Sequence, residues 1–260
     1  MILLFLTELF KLGLSYSALG TARAAVNCFT TLCGGPDFSD NRLLKNFMKG
    51  IFHQRPNFPK HPQVWDVKLV LEFLRTSTND SLIFLSGKLC TLFLLLSAQR
   101  CQTLHLVQLQ DVILDQNQIT ILTNHLLKQS RPNFHLEPIT LVNYPKHKNL
   151  CIVETFKQYL DRTASLRFPN EPGLLISTQS PHKGITRATI ARWVKNILTQ
   201  AGIDATFTAH STRAVATSTA KARGISLDNI AKTAGWSNVT TFRRFYDKPL
   251  PQTVQSAIQQ

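Results

Sequence analysis

The stretch HSTRAVATSTAKARGISLDNIAKTAGWSNVTTFRRFY, residues 210–246, decides how the rest of the chain is read. It sets His210 and Arg213 three positions apart, then Gly235 and Trp236, then Tyr246 ten positions beyond the Trp. Three short helices account for that spacing: one from about Thr212 to Gly224, one capped by Ser226 and stopped by Gly235, and one capped by Ser237 or Asn238 that carries Tyr246. A His and an Arg within the first turn of a helix lie beside free backbone N–H groups and the positive end of the dipole, which outlines an anion site. A phenol with a pKa near ~10 is ionised only to about one part in a thousand at neutral pH. It becomes a useful nucleophile when cations hold an electrophilic phosphate against it and a base takes its proton. Val239, Phe242 and Tyr246 also recur at helical spacing, so Tyr246 taken alone reads as a core aromatic.

Upstream, the apolar run over residues 81–97 reads as a buried helix, and Arg100 follows it in SAQRCQTLHL. An Arg anchored by such a helix suits a bidentate clamp on phosphate oxygens, and equally a cap on the last helix carbonyls. From Asp111 the pattern changes to strands: DVIL, a turn at residues 115–117, QITIL, and then PITLV. Residues 150–162 return to an amphipathic helix with Ile152, Val153, Phe156 and Leu160 inward, and LLIST beyond it reads as a short strand or extended segment. A helix capped by Thr186 carries the stripe Ile190, Trp193, Val194, Ile197, Leu198 and Ala201. Its other face and entry loop hold Lys183, Arg187, Arg192 and Lys195, which read as non-specific phosphate contacts or as ordinary surface charge.

The first 50 residues read as three helices: Leu3, Leu6, Phe10 and Leu14 on one face, then residues 17–32, then 41–52, with Gly34, Gly35 and Pro36 breaking between the last two. Ser17, Thr21 and Arg23 could face phosphates or plain solvent. QRPNFPKHP has no periodicity and favours extended backbone, so the domain boundary is placed there. The division is a helical domain over 1–57, a linker over 58–63, and a second domain over 64–260 that resumes helical spacing through Val67, Val70, Leu71 and Leu74. The fold class expected is mainly α with a small antiparallel sheet. Helices, then strands, then helices exclude a regular βαβ fold.

The 260 residues carry a net charge of +14, with 29 Lys and Arg scattered rather than massed in a tail. That favours a polyanion bound on a folded basic face. The longest apolar stretch, residues 89–96, is too short to span a bilayer, and MILLFL lacks a basic flank, so no membrane partner is expected. The Cys at 28, 33, 90, 101 and 151 are odd in number and form no CxxC, the His are dispersed, and GxxxxGK[ST] is absent. These features point away from a disulfide framework, a zinc or catalytic metal site, and nucleotide hydrolysis, and toward a reducing compartment.

The ordered set Arg100, His210, Arg213, Trp236 and Tyr246, with the tail GWSNVTTFRRFYDKP, resembles the tyrosine recombinases of the phage-integrase family, and most of all those of DIRS-like eukaryotic retrotransposons. Most of that family has His where Trp236 stands, and many members have an acidic residue where Thr103 or Leu104 follows Arg100. LGLSYSALGTARAAVNCF is similar to the end of the family's helical core-binding domain, of which a truncated version is expected here. The resemblance implies an integrase-like catalytic domain that breaks and rejoins double-stranded DNA during integration of a mobile element. Arg100 and Arg213 would hold the phosphate, His210 would move a proton, and Trp236 would donate a hydrogen bond or pack. Tyr246 would attack to leave a 3′-phosphotyrosine. LLKQSRP matches the hairpin that bears the family's catalytic lysine, so Lys128 would protonate the leaving oxygen, with Arg131 as its rival. Arg23, Arg131, Lys183 and Arg187 would contact DNA. No metal, cofactor or small-molecule substrate is implied; a homotetramer on DNA and a nuclear location are. The competing readings are a type IB topoisomerase-like activity, a decayed or domesticated DNA-binding protein, and a helical scaffold without nucleic acid.

Overall fold

The computed structural model describes residues 1–56, 61–127, 130, 132 and 135–251. The chain divides into two compact units, Met1–Lys60 and His61–Gln260.

The first unit contains α1 (Ile2–Lys11), α2 (Tyr16–Leu32) and α3 (Arg42–Gln54). Ser15 and Asn41 start the second and third helices by accepting the N–H groups of Ala18 and Leu44. Leu6, Leu19, Leu44, Met48 and Ile51 form the unit's core, with Leu3, Phe10 and Leu14 packed against it. Arg55 closes the bundle: its guanidinium lies 4.1 Å from the Phe10 ring centroid and donates to the Leu14 carbonyl at 2.6 Å. Helix α3 runs through His53 and Gln54, two residues beyond the 41–52 expected from the sequence.

In the second unit α4 (Val67–Thr76) is capped by Asp66, and α5 (Leu82–Ser97) by Ser81. Helix α5 is the centre of this unit, because its apolar side chains run nearly all the way round and are buried on several sides. Phe93, at 2% exposure, is one of them, and burying a Phe side chain contributes about 2 to 3 kcal/mol. Gly87 lets α8 (Arg187–Gln200) lie close: a Cβ there would sit 3.0 Å from the Ile197 side chain and 3.4 Å from the Trp193 carbonyl. Substituting a larger residue would overpack this contact at a cost of about 1 to 3 kcal/mol.

Helix α6 (Cys101–His105) follows α5 after a left-handed residue, Ala98, at φ 52°. Strands β1 (Val112–Leu114), β2 (Gln118–Ile121) and β3 (Ile139–Val142) form an antiparallel sheet in that order, with Ile113 opposite Thr120 and Ile119 opposite Leu141. Ile119, Ile121, Ile139 and Leu141 turn inward. Asp111, 2% exposed, accepts from the Gln108 N–H and the Asn124 amide and lies 3.2 Å from His125 Nε2, which organises both ends of the first hairpin. Mainly helical architecture with a small antiparallel sheet is what the alternation of patterns predicts.

Helix α7 (Ile152–Thr163) buries Ile152, Val153 and Phe156, whereas Leu160 is only partly covered. The inward residue there is Tyr159, fully buried, whose hydroxyl accepts the Ile176 N–H at 3.0 Å. Its polar tip masked it as a core position. LLIST forms no strand among the described residues: isolated bridges pair Gly173 with Gln108 and Ile176 with Gly184. The last three helices are α9 (Ser211–Ala222), α10 (Leu227–Ala234) and α11 (Thr240–Phe245). Ser226 caps α10 and Gly235 ends it in the left-handed conformation, as their positions predict. Helix α11 departs slightly. Val239 is its N-cap, the Asn238 side chain accepts from Thr240 and Thr241, and Tyr246 is the residue that ends it.

Candidate active site

Arg213 is the third residue of α9 and is 1% exposed. Its guanidinium donates to the Ala98 carbonyl at 2.8 Å and to the Ala234 carbonyl at 2.6 Å. One side chain thus ties together the C-terminal ends of α5 and α10. The guanidinium stacks 4.7 Å from the Trp236 ring centroid and 5.5 Å from that of Tyr246. Arg213 Nε and Trp236 Nε1 are both buried without a hydrogen-bond partner among the described residues. Unpartnered buried donors are costly, and two beside one another suit an anion that would accept from both.

Burial pulls the Arg213 pKa down to about 9, with the charge of Arg100 acting in the same direction and Tyr246 opposing it. The group is therefore cationic at neutral pH but held at a cost, which an arriving phosphate would relieve. Arg100 itself is half-buried at the N-cap of α6. Where many family members have an acid after this Arg, Thr103 is buried and donates to Gln99 Oε1 at 3.3 Å, while Gln99 Nε2 donates to the Thr233 carbonyl at 2.7 Å.

Tyr246 is 8% exposed, and its ring lies 4.8 Å from that of Trp236. Its hydroxyl is 3.4 Å from His210 Nε2; His210 is exposed, at the N-cap of α9. Phe242, fully buried one turn back on α11, seats the helix against the core and Trp236. The site so formed has two cations, a phenol beside an imidazole, and an indole N–H. It can bind a phosphodiester, stabilise added negative charge, and deliver an oxygen nucleophile. Among the described residues no group of three or more His, Cys, Asp or Glu is placed to hold a metal ion.

The structure thus brings His210, Arg213, Trp236 and Tyr246 together, with Arg100 close enough for its charge to act on Arg213. Lys128 and Arg131 lie outside the described residues. Lys183 and Arg187 are exposed, before and at the start of α8, and Arg192 is exposed further along it. Lys195 is partly buried, and its ammonium donates to the carbonyls of Ala205 and Phe207, fastening the loop after α8. Arg23 belongs to the first unit, half-buried beside a groove lined by Tyr16, Arg42, Lys45, Lys49 and Asp40. Sequence reasoning missed Trp65, whose indole donates to Ser211 Oγ at 2.8 Å and steadies the start of α9. It missed Ser218 and Gln99 as well. Nothing local marks the distant ties of the three, to Ser211, Tyr246 and Thr233, which lie 146, 28 and 134 residues away.

The fold is that of a tyrosine recombinase catalytic domain. Residues 66–251 match the phage integrase family, and the chain belongs to that family. No curated protein matches it. Among solved structures it is similar to the Tn1549 transposon integrase in complex with transposon right end DNA, with TM-score 0.67 and 13% identity over 99% of this chain and 82% of that one. It is similar to the XerH site-specific recombinase bound to palindromic difH substrate in a post-cleavage complex, with TM-score 0.66 and 16% identity over 94% and 67%. XerA recombinase gives a TM-score of 0.55 at 16% identity over 98% and 86%.

Proposed function

We propose that this protein cleaves and rejoins duplex DNA in site-specific recombination, with Tyr246 as the nucleophile. The observation that carries the reading is the buried Arg213 guanidinium, with its Nε and the neighbouring Trp236 Nε1 unpartnered among the described residues, stacked beside the Tyr246 ring. Arg100 and Arg213 hold the non-bridging oxygens of the scissile phosphate and neutralise the charge that builds at phosphorus. The Tyr246 oxygen bonds to phosphorus as the bond to the 5′-oxygen breaks, and His210 takes the phenolic proton. The leaving 5′-oxygen gains a proton, a role the family resemblance gives to Lys128. The product is a 3′-phosphotyrosine and a free 5′-hydroxyl. Attack by a 5′-hydroxyl from another strand reverses the step and completes exchange, with no cofactor consumed.

The wider setting belongs to the same proposal. The tail GWSNVTTFRRFYDKP favours a DIRS-like retrotransposon as the source, and hence integration of that element in the nucleus. Exchange between two duplexes calls for four protomers, so a homotetramer on DNA is proposed. The DNA-bound state of the similar Tn1549 integrase and XerH structures and the net charge of +14 support double-stranded DNA as the partner. Residues 1–57 serve as the core-binding domain and 64–260 as the catalytic domain in this reading.

The test is a suicide substrate: a nicked duplex from the element's ends, incubated with the protein, denatured, and examined for a covalent protein–DNA band. A band that Tyr246→Phe abolishes supports the proposal. Tight DNA binding with no band would favour the reading as a DNA-binding protein that has lost its chemistry.

A further inference from the structure

Ser218 lies on α9, five residues beyond Arg213, and is 3% exposed. Its hydroxyl donates to the Tyr246 carbonyl at 2.7 Å and accepts the Lys248 N–H at 3.2 Å. One side chain therefore brackets the Tyr on its C-terminal side, using both the donor and the acceptor capacity of the hydroxyl. Two neighbouring ties follow the same course. Lys221, one turn along α9, pairs with Asp247 at 2.6 Å, and the Lys248 ammonium donates to the His61 carbonyl at 2.7 Å.

Helix α11 spans only Thr240–Phe245, and Tyr246 terminates it. A helix this short is marginal by itself, so its end would fray and the phenol would wander. Phe242 anchors the N-terminal side in the core, and Ser218 supplies the anchor on the other. Arg213 and Ser218 share one rigid helix, so phosphate holder and nucleophile holder are set at a fixed separation. A displacement of about 1 Å in a reacting group costs on the order of 100-fold in rate.

We propose that Ser218 is the positioning residue for Tyr246: its paired hydrogen bonds to the backbone of residues 246 and 248 register the phenol against the phosphate held by Arg213. The inference rests on the reading of Tyr246 as nucleophile. It asks for no contact between Ser218 and DNA. Lys221–Asp247 is a more exposed pair and secures the same segment more weakly.

The experiment compares Ser218→Ala and Ser218→Thr with the unaltered full chain, using single-turnover formation of the covalent band, DNA affinity, and amide hydrogen exchange. Ser218→Ala is expected to slow covalent capture roughly 10- to 100-fold while leaving the dissociation constant for the same duplex within about 2-fold of the unaltered protein's. Exchange at the Lys248 amide is expected to speed up, because its acceptor is gone. Ser218→Thr, which restores the hydroxyl, is expected to recover most of the rate. Unchanged capture in Ser218→Ala, unchanged Lys248 exchange, or a rate loss matched by an equal loss of DNA binding would each overturn the proposal. If the unaltered protein forms no band while Lys248 exchange responds to Ser218→Ala, the nucleophile reading has failed, and with it the positioning role; the hydrogen bonds alone would stand.

Discussion

Arg213 and Ala98, 115 residues apart in the chain, are joined by a 2.8 Å hydrogen bond from the guanidinium to the carbonyl at the end of α5. The same guanidinium reaches the Ala234 carbonyl at 2.6 Å. It is at once a strut between three helices and the most buried cation of the site. In the proposed reaction, function and stability are therefore coupled at this residue.

Arg213→Ala should lose cleavage by about 10² to 10³, the usual effect of removing one preorganised donor. It should also lower stability by about 2 to 4 kcal/mol, because two carbonyls and a cavity are left in the interior. Urea unfolding and single-turnover cleavage on the same preparation would measure both, and a variant as stable as the parent would show that the strut contributes nothing. The half-buried Arg100 lies at an N-cap instead, so Arg100→Ala is expected to have the same catalytic effect with a smaller loss of stability.

The alkaline limb of activity should report Arg213. Its pKa is about 9 in the folded chain, below the ordinary guanidinium value, so between the two the unfolded state binds more protons. Stability of the DNA-free protein should therefore rise with pH across that window. Cleavage at limiting DNA needs the protonated cation and should fall as pH rises past about 9. Arg100→Ala removes a repelling charge and should move the limb upward. A cleavage profile that stays level through pH 10 would contradict this assignment.

Tyr246→Phe should abolish the covalent product and little else. The ring keeps its contacts with Trp236 and Arg213, and one hydroxyl at 3.4 Å from His210 is lost. The change in stability is expected within about 1 kcal/mol, and DNA binding at matched salt should persist. Loss of folding, seen by circular dichroism, would mean that the hydroxyl is structural.

Trp65→Phe keeps most of the buried ring and deletes the donor to Ser211. A cost of about 1 kcal/mol is expected, read as a lower urea midpoint. An unchanged midpoint would show that the start of α9 is held by other contacts.

Thiol reactivity should divide by position. Cys28 and Cys33 are exposed and should alkylate quickly with iodoacetamide at pH 8. Burial pushes the Cys101 thiol up to about 11 and raises Cys90 well above its ordinary value, so both should react slowly until the protein unfolds. Peptide mass spectrometry with time would rank them, and early labelling of Cys90 would contradict the packing of α5.

Much of the fold was legible because its signals are local. The apolar periodicity of α3, α4, α7 and α8, the caps at Thr186 and Ser226, the stop at Gly235 and the alternation in β2 and β3 each depend on residues a few positions apart. The site was legible as an ordered list, since His210, Arg213, Trp236 and Tyr246 keep their separations through three helices whose ends are marked by caps and glycines. The burial of Tyr159 and the carbonyl partners of Lys195 were not legible, because a polar tip conceals whether a side chain is buried or already occupied.

The amino-acid sequence by itself determined the helices, the hairpins, and the residue types able to hold a phosphate and attack it. Only the tertiary structure decided that Arg213 spends two of its donors on Ala98 and Ala234, that Trp236 and Tyr246 stack in one cluster with it, and that Ser218 and Trp65 hold the two ends of the arrangement. The physical reason is range. Caps and periodicity act within a turn or two, whereas a hydrogen bond across 115 or 146 residues exists only once the core has packed α5, α9 and α10 together.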